Sequence, residues 1–402
     1  MQLHVRMEGR DPEQRHRAAT PLELFFDLTF VVAVAQGAEG LHHGLVEGHV
    51  GDALLIYPLV FFGIWWAWMN FTWFASAYDT DDASYRLAVL VQLIGVLVVA
   101  AGIPRAFEHH DFGVATLGYV IMRLAMVGHW LRAAASHPAR RRCTLRYAGG
   151  LAVAQALWVL RLALPDGPGL VGFVLLVALE MAIPYWAESA GRTPWHPGHI
   201  AERYGLFTII VLGESVLAAT VAVQVALDTT STFGDLAPVI VGGILTVFCL
   251  WWLYFDMPAE QVVARARNVF TERLRGAFLW GYGHYVVFAS AAAAGAGLAV
   301  AVDQATHHSK LTDTQAGFAI TVPVSVFLLA VWTLHYATKT PGPMKTYAVP
   351  IGVVLILASS FTPQPVLGSG LVLAALIAAA VIARCFQPAA EVAAPAGSAT
   401  DS

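Results

Sequence analysis

Three carboxylates, Asp27, Glu180 and Glu214, fall inside stretches that are otherwise apolar, and one arginine, Arg123, and one histidine, His284, share those surroundings. An ionisable side chain at bilayer depth is costly and faces a bundle interior or a wet cavity. Three acids against one Arg and one His leave negative charge uncompensated. A carboxylate in low dielectric then takes up a proton or recruits a cation. The chemistry implied is reversible binding of a small cation or of protons, with Asp27 and Glu214 as binding carboxylates, Arg123 as charge partner, and Glu180 and His284 as relays. A structural reading stands beside it, in which Arg123 pairs with one acid and the remaining charges lock the bundle.

Two further acids sit at helix starts. Thr20, Pro21 and Glu23 have the spacing of a capping box, and His199 with Glu202 repeats that spacing later in the chain, so Glu23 and Glu202 read first as helix caps and second as transport residues. Asp27 lies one turn beyond Glu23 on the same face, where capping does not account for it. The pairs His42-His43, His109-His110 and His307-His308 read as solvated loop residues, with zinc binding or acid sensing as the sharper alternative. Asp79, Asp81 and Asp82 read as a helix-capping loop. Cys143, Cys249 and Cys385 lack metal-ligand spacing, and there is no Gly-rich phosphate loop, His-Glu-x-x-His or Gly-x-Ser-x-Gly. The expectation is a protein that is not an enzyme, with no cofactor, no resident metal and no nucleic-acid partner.

The elements that must position these residues are set by composition. Of 402 residues, 57% are hydrophobic and 12% charged, with a mean hydropathy of +0.63, whereas soluble domains carry roughly 25% charged residues. Roughly 20 apolar residues cross a bilayer as a helix. Twelve runs qualify, beginning near Leu22, Gly51, Leu87, Phe112, Leu145, Gly169, Ile200, Leu236, Ala277, Ala316, Lys345 and Val366. They are continuously apolar, without the short alternation of a membrane β-barrel. The fold class is therefore all-α, a polytopic membrane bundle of about 12 transmembrane helices with membrane lipid as its surroundings.

With the amino terminus inside, 19 of the 23 Lys and Arg residues lie in inner segments, which predicts that both termini are cytoplasmic. On that orientation Asp27 and His284 lie about 10 Å from the inner boundary, Arg123 and Glu180 about 14 Å and Glu214 about 18 Å, a single slab. The indole clusters Trp65-Trp66-Ala67-Trp68 and Trp251-Trp252 lie toward inner span ends and read as interfacial anchors.

The two halves of the chain align faintly. Glu23-Leu24-Phe25 lies over Glu202-Arg203-Tyr204, Ile64-Trp65-Trp66 over Leu250-Trp251-Trp252, and Arg86-Leu87 over Arg275-Gly276, at offsets of 179, 186 and 189 residues. Six helices is an even number, so such repeats share one orientation and place sites where the halves meet. The expected organisation is a polar cytoplasmic leader at 1–19, a first six-helix repeat at 20–190, a second at 191–386, and a disordered tail at 387–402.

Three stretches carry a resemblance: Thr20-Pro21-Leu22-Glu23-Leu24-Phe25-Phe26-Asp27-Leu28-Thr29-Phe30; Tyr78-Asp79-Thr80-Asp81-Asp82-Ala83-Ser84-Tyr85-Arg86; and His199-Ile200-Ala201-Glu202-Arg203-Tyr204-Gly205, continuing to Gly213-Glu214-Ser215. The chain resembles the bacterial low-temperature-requirement A (LtrA) family from about Ala19 to Cys385. That resemblance implies a polytopic protein of the bacterial cytoplasmic membrane, linked to growth in the cold. Phe26-Asp27 in a first span is also similar to the endolysosomal potassium-channel family with a Phe-Ser-Asp motif there, although Phe26 stands where that motif has Ser. The leading expectation is a transporter or channel for a small cation or protons. The other is a membrane scaffold or stress-response protein that contacts lipid or partner proteins.

Overall fold

The computed structural model describes residues 3–12, 14, 17–228, 233–256, 274–336 and 343–385. Twelve α-helices and one 3-10 turn, and no strand, occur among the described residues. The first six are α1 (Pro21–Val46), α2 (Val50–Tyr78), α3 (Ala83–His109), α4 (Gly113–Ser136), α5 (Arg141–Arg161) and α6 (Asp166–Glu188). The second six are α7 (Pro197–Asp228), α8 (Phe233–Phe255), α9 (Leu274–Ala305), α10 (Asp313–Tyr336), α11 (Pro343–Ser359) and α12 (Pro365–Cys385). Every apolar run counted in the sequence became a helix. Eleven are long and apolar enough to cross a membrane, and α11 supplies a shorter apolar stretch, Thr346–Ser359. The expected tail from Gln387 lies outside the described residues.

Local chemistry sets the helix starts. The Thr20 hydroxyl accepts from the Glu23 N–H at 3.3 Å while the Glu23 carboxylate accepts from the Thr20 N–H at 2.7 Å, so the capping box opens α1 as its spacing predicts. Asp82 caps α3 by accepting from the Tyr85 N–H at 2.8 Å. For α7 the expectation is corrected. The capping side chain is His196, whose Nδ1 accepts from the His199 N–H at 3.0 Å. Glu202 lies exposed on the first turns and accepts from the Ala19 N–H at 3.4 Å, because the helix starts at Pro197, three residues earlier than a His199 cap would need.

Without a hydrophobic drive between helices in lipid, close packing depends on small residues. A Cβ on Gly102 would lie 2.4 Å from the Ala115 nitrogen, and one on Gly118 2.5 Å from the Val99 nitrogen, so α3 and α4 touch backbone to backbone. Gly297 does the same for α9 on α10, 2.2 Å from the Ala319 oxygen, and Gly242 for α8 on α12, 2.4 Å from the Leu367 nitrogen. The outward faces are apolar: Leu24, Phe25, Leu28 and Val32 on α1 and Leu87, Leu90, Ile94 and Leu97 on α3 are exposed, as a surface solvated by lipid requires.

The two sets of six pack alike in part. α1 lies against α2 and α3, and α7 against α8 and α9; α3 pairs with α4 as α9 pairs with α10. They meet through α1 with α7 and α9, and through α2 with the same two helices. Two pairings have no counterpart: α12 packs along α8 and also touches α10, but α6 makes no such approach to α4 or to α2, which leaves a gap between α2 and α6. Aromatic side chains occupy that gap, including Phe62, Trp65 and Tyr282, around a cavity of about 230 Å³. The Trp65-Trp66-Trp68 cluster is therefore buried and not an interfacial anchor. Sequence depth suggested a headgroup position, but α2 runs through the bundle centre and its indoles serve interior partners.

The leader is not a free polar arm. Arg17 is buried and donates to the carbonyls of Ala75, at 2.8 Å, and Ser76 at the end of α2. Arg10 donates its N–H to the Ala77 carbonyl at 3.0 Å, and the Ser84 N–H reaches the Leu3 carbonyl.

Candidate functional site

The residues grouped in one slab by depth fall into separate places. Asp27 and Glu23 on α1 face Arg203 and His199 on α7, and all four are buried. Each pair has i, i+4 spacing, so each presents its two groups on one helical face. Asp27 receives a two-pronged bond from Arg203, Nε to Oδ2 at 2.9 Å and Nη2 to Oδ1 at 2.5 Å, and a third bond from the Trp68 indole to Oδ1 at 2.6 Å. Glu23 lies 3.2 Å from the His199 Nε2 and 3.2 Å from the Arg203 Nη1, with the Arg17 guanidinium at 3.9 Å. A guanidinium with two carboxylates in low dielectric is a strong and geometrically defined unit.

Asp27 is thus not the uncompensated acid that the charge count suggested. Arg203 supplies the missing charge; lying six residues past Pro197, it reads in sequence as an inner-loop basic residue, yet it is fully buried. The signal that could have found it is the i, i+4 spacing of His199 and Arg203, which matches that of Glu23 and Asp27.

Arg123 and Glu180 do come together, at 2.6 Å, in a second centre inside the first six helices. That carboxylate also accepts from the Trp66 indole at 2.9 Å, the Gln155 amide at 3.0 Å, the Tyr119 hydroxyl at 3.2 Å and the Trp158 indole at 3.3 Å. Five donors from α2, α4 and α5 saturate it, which fits a structural lock better than a relay. The Arg123 Nε and Nη1 remain buried and unpartnered.

His284 belongs to neither centre. Its Nδ1 lies 2.8 Å from the Trp280 carbonyl and its Nε2 3.2 Å from the Tyr254 hydroxyl, within rings of Trp280, Tyr204 and Phe288. A carbonyl only accepts, so Nδ1 carries the proton. Glu214 is half-buried on α7, eleven residues and about 16 Å beyond Arg203. It has no hydrogen bond or ion pair with any described residue and lies in electrostatic range of Glu39 and His42. Asp27 and Glu214 are therefore not joined. At that far end His42 is held between Glu39, at 3.5 Å, and Asp303, at 2.7 Å, tying α1 to α9; it is a bridging residue and not a solvated one.

Just outside the spans, Asp79 ends α2 and lies buried, with one oxygen accepting from the Asp81 N–H at 3.0 Å and the other unpartnered. Burial, and then the charge of Glu23, push its carboxyl up to about 6 against the pull of Arg17 and Arg10. Asp82 is the reverse case. Burial opposes its ionisation, but bonds from Arg132 and from the N–H groups of Tyr85 and Val5 prevail and hold it at about 2. Among the described residues no three His, Cys, Asp or Glu side chains converge as metal ligands.

A protein of Rhizobium meliloti (strain 1021), named "Uncharacterized protein RA0937", is 26% identical over 291 residues, covering 70% of this chain and 68% of its own. Residues 18–384 match the family described as bacterial low temperature requirement A protein (LtrA), a span that holds all twelve helices but the last residue of α12, together with both ionic centres. The chain is a multi-pass membrane protein and belongs to the LtrA family.

Proposed function

We propose that this protein moves a small cation or protons across the bacterial cytoplasmic membrane, and that the Glu23-Asp27-His199-Arg203 cluster is where that movement is coupled to a change in how the two halves fit. The observation that carries this reading is the position of the cluster: four buried ionisable groups span α1 and α7, the first helices of the two halves, at the seam between them. Carriers built from parallel repeats work by rocking one half on the other around sites at that seam. Glu23 and His199 form a pair able to exchange a proton, and Asp27 with Arg203 forms a fork that a competing cation would open. Glu214, half-buried and unpaired, is a second station further along α7. The halves are read as six-helix repeats in one orientation, with both termini cytoplasmic and the outer surface in contact with lipid.

A second reading is favoured by a specific observation. Asp27 and Glu180 accept three and five hydrogen bonds, which is what a non-transporting scaffold with charge-locked helices would also have. Flux of K⁺, Na⁺ and protons into proteoliposomes separates the two. The transport reading expects selective flux in the wild type and at least a tenfold loss when Asp27→Asn and Glu214→Gln are combined in folded protein. Unaltered flux in that variant would remove the assignment.

A further inference from the structure

A second acidic position lies at the leader-side end of the bundle, apart from the α1–α7 seam. Glu188, the last residue of α6, is buried and accepts from the Thr193 N–H at 2.9 Å, the Thr193 hydroxyl at 2.6 Å and the Tyr147 hydroxyl at 3.0 Å. All three donors are neutral, and no ion pair to Glu188 occurs among the described residues. Arg140 lies within electrostatic range, and Arg146 is nearby, donating to the Trp186 carbonyl at 2.8 Å and the Ser189 hydroxyl at 3.0 Å on either side of Glu188. Beside Glu188 is a cavity of about 20 Å³, room for one particle the size of water or ammonium, since about 10–15 Å³ by this measure holds one water.

The walls of that cavity are aromatic: Trp73, Trp130, Tyr147, Phe278 and Tyr282. Asn70 and Thr193 are its other polar lining residues; Thr193 is already bonded to Glu188, and the Asn70 amide nitrogen donates to the Trp66 carbonyl at 2.8 Å, with no bond to its oxygen among the described residues. Tyr282 divides this cavity from the larger apolar one between α2, α6 and α9. The Glu188 cavity and the gap between α2 and α6 thus lie on either side of one tyrosine ring.

We infer that the Glu188 cavity binds a small, weakly hydrated monovalent cation of the ammonium class. This rests on the cation-transport reading and names its substrate class. Aromatic faces attract cations by their quadrupole, and the buried carboxylate supplies the opposite charge. Ammonium would donate to Glu188 and to the Asn70 oxygen while its remaining hydrogens face rings. Divalent ions and Na⁺ are disfavoured, because hard cations require a shell of oxygen ligands that indole and phenyl rings do not provide. A bound water is the competing occupant, and the unpartnered Trp130 indole N–H suits it.

The test is equilibrium titration of the purified full-length protein in detergent with ammonium and methylammonium chloride, followed by tryptophan fluorescence, with NaCl keeping the ionic strength constant. The expected result is a saturable change for ammonium, at least tenfold weaker for Na⁺, and weakened at least tenfold in Glu188→Gln. Asn70→Leu, which leaves Glu188 untouched, is expected to weaken it by a smaller factor and serves if Glu188→Gln does not fold. No saturable change, equal response to Na⁺ and ammonium, or an undiminished response in the folded variants would overturn the site and leave water as the occupant. Binding without flux in proteoliposomes would count against transport alone; flux that survives Glu188→Gln would count against the site alone.

Discussion

Removing one partner of a buried ion pair strands the other charge without solvent, and the cost of that exceeds the worth of the pair. For Asp27→Asn the stranded group is the Arg203 guanidinium, fully buried and still 3.2 Å from Glu23. The expected loss is about 3 kcal/mol, reduced by whatever Glu23 recovers. Replacing both, Asp27→Asn with Arg203→Met, removes the stranded charge and is expected to restore most of the midpoint lost by the single variant in thermal unfolding. Asp79 gives a prediction with a pH window. Its folded carboxyl titrates near 6, above the usual value near 4, so the folded chain holds the proton more tightly than the unfolded one. The stability this contributes is present below pH 4, falls as pH rises and is gone above pH 6, a change of at most about 3 kcal/mol. Asp82, held near 2, stays ionised through that interval. Asp79→Asn should therefore raise the unfolding midpoint at pH 7.5, leave it little changed at pH 4.5, and flatten the slope between.

At the scale of the helices, close approach and end capping decide what the chain tolerates. Valine at Gly297 would drive α9 off α10, where a Cβ already meets the Ala319 carbonyl, and the expected cost is about 3 kcal/mol or more. Gly213 is the control: it has open space around it, so Gly213→Ala should be neutral or slightly stabilising. Parallel thermal melts of the two variants check both. Arg17→Leu would leave the last carbonyls of α2 without the guanidinium and is expected to cost about 2 kcal/mol. The helices themselves were legible in the sequence, because an apolar run near twenty residues long has one stable solution in lipid. The Glu23 cap was legible for the same local reason. What was not legible was pairing between distant segments. Depth placed Asp27, Arg123, Glu180, Glu214 and His284 at similar heights but carries no azimuth, so Arg123 with Glu180 came together while Asp27 chose Arg203. Trp66 and Trp68 were misread for the same reason, since depth does not say which face of α2 is inward.

Across the whole molecule, the first six helices hold the Arg123–Glu180 pair, whose carboxylate is saturated with donors, and the Glu23, Asp27, His199 and Arg203 cluster lies where α1 meets α7. The gap between α2 and α6, closed among the other six helices by α12 on α8, is an asymmetry between the two sets. If the seam cluster couples ion movement, its chemistry and the stability it confers must be separable. The most direct measurement is cation and proton flux in proteoliposomes holding the Asp27→Asn, Arg203→Met protein, beside wild type and protein-free vesicles, with unfolding midpoints measured on the same preparations. The account predicts selective flux in the wild type, and at least a tenfold loss in a variant whose midpoint stays close to it. Vesicles that stay tight with the wild-type protein under every imposed gradient, or full flux through a seam that lacks the Asp27–Arg203 pair, would contradict it.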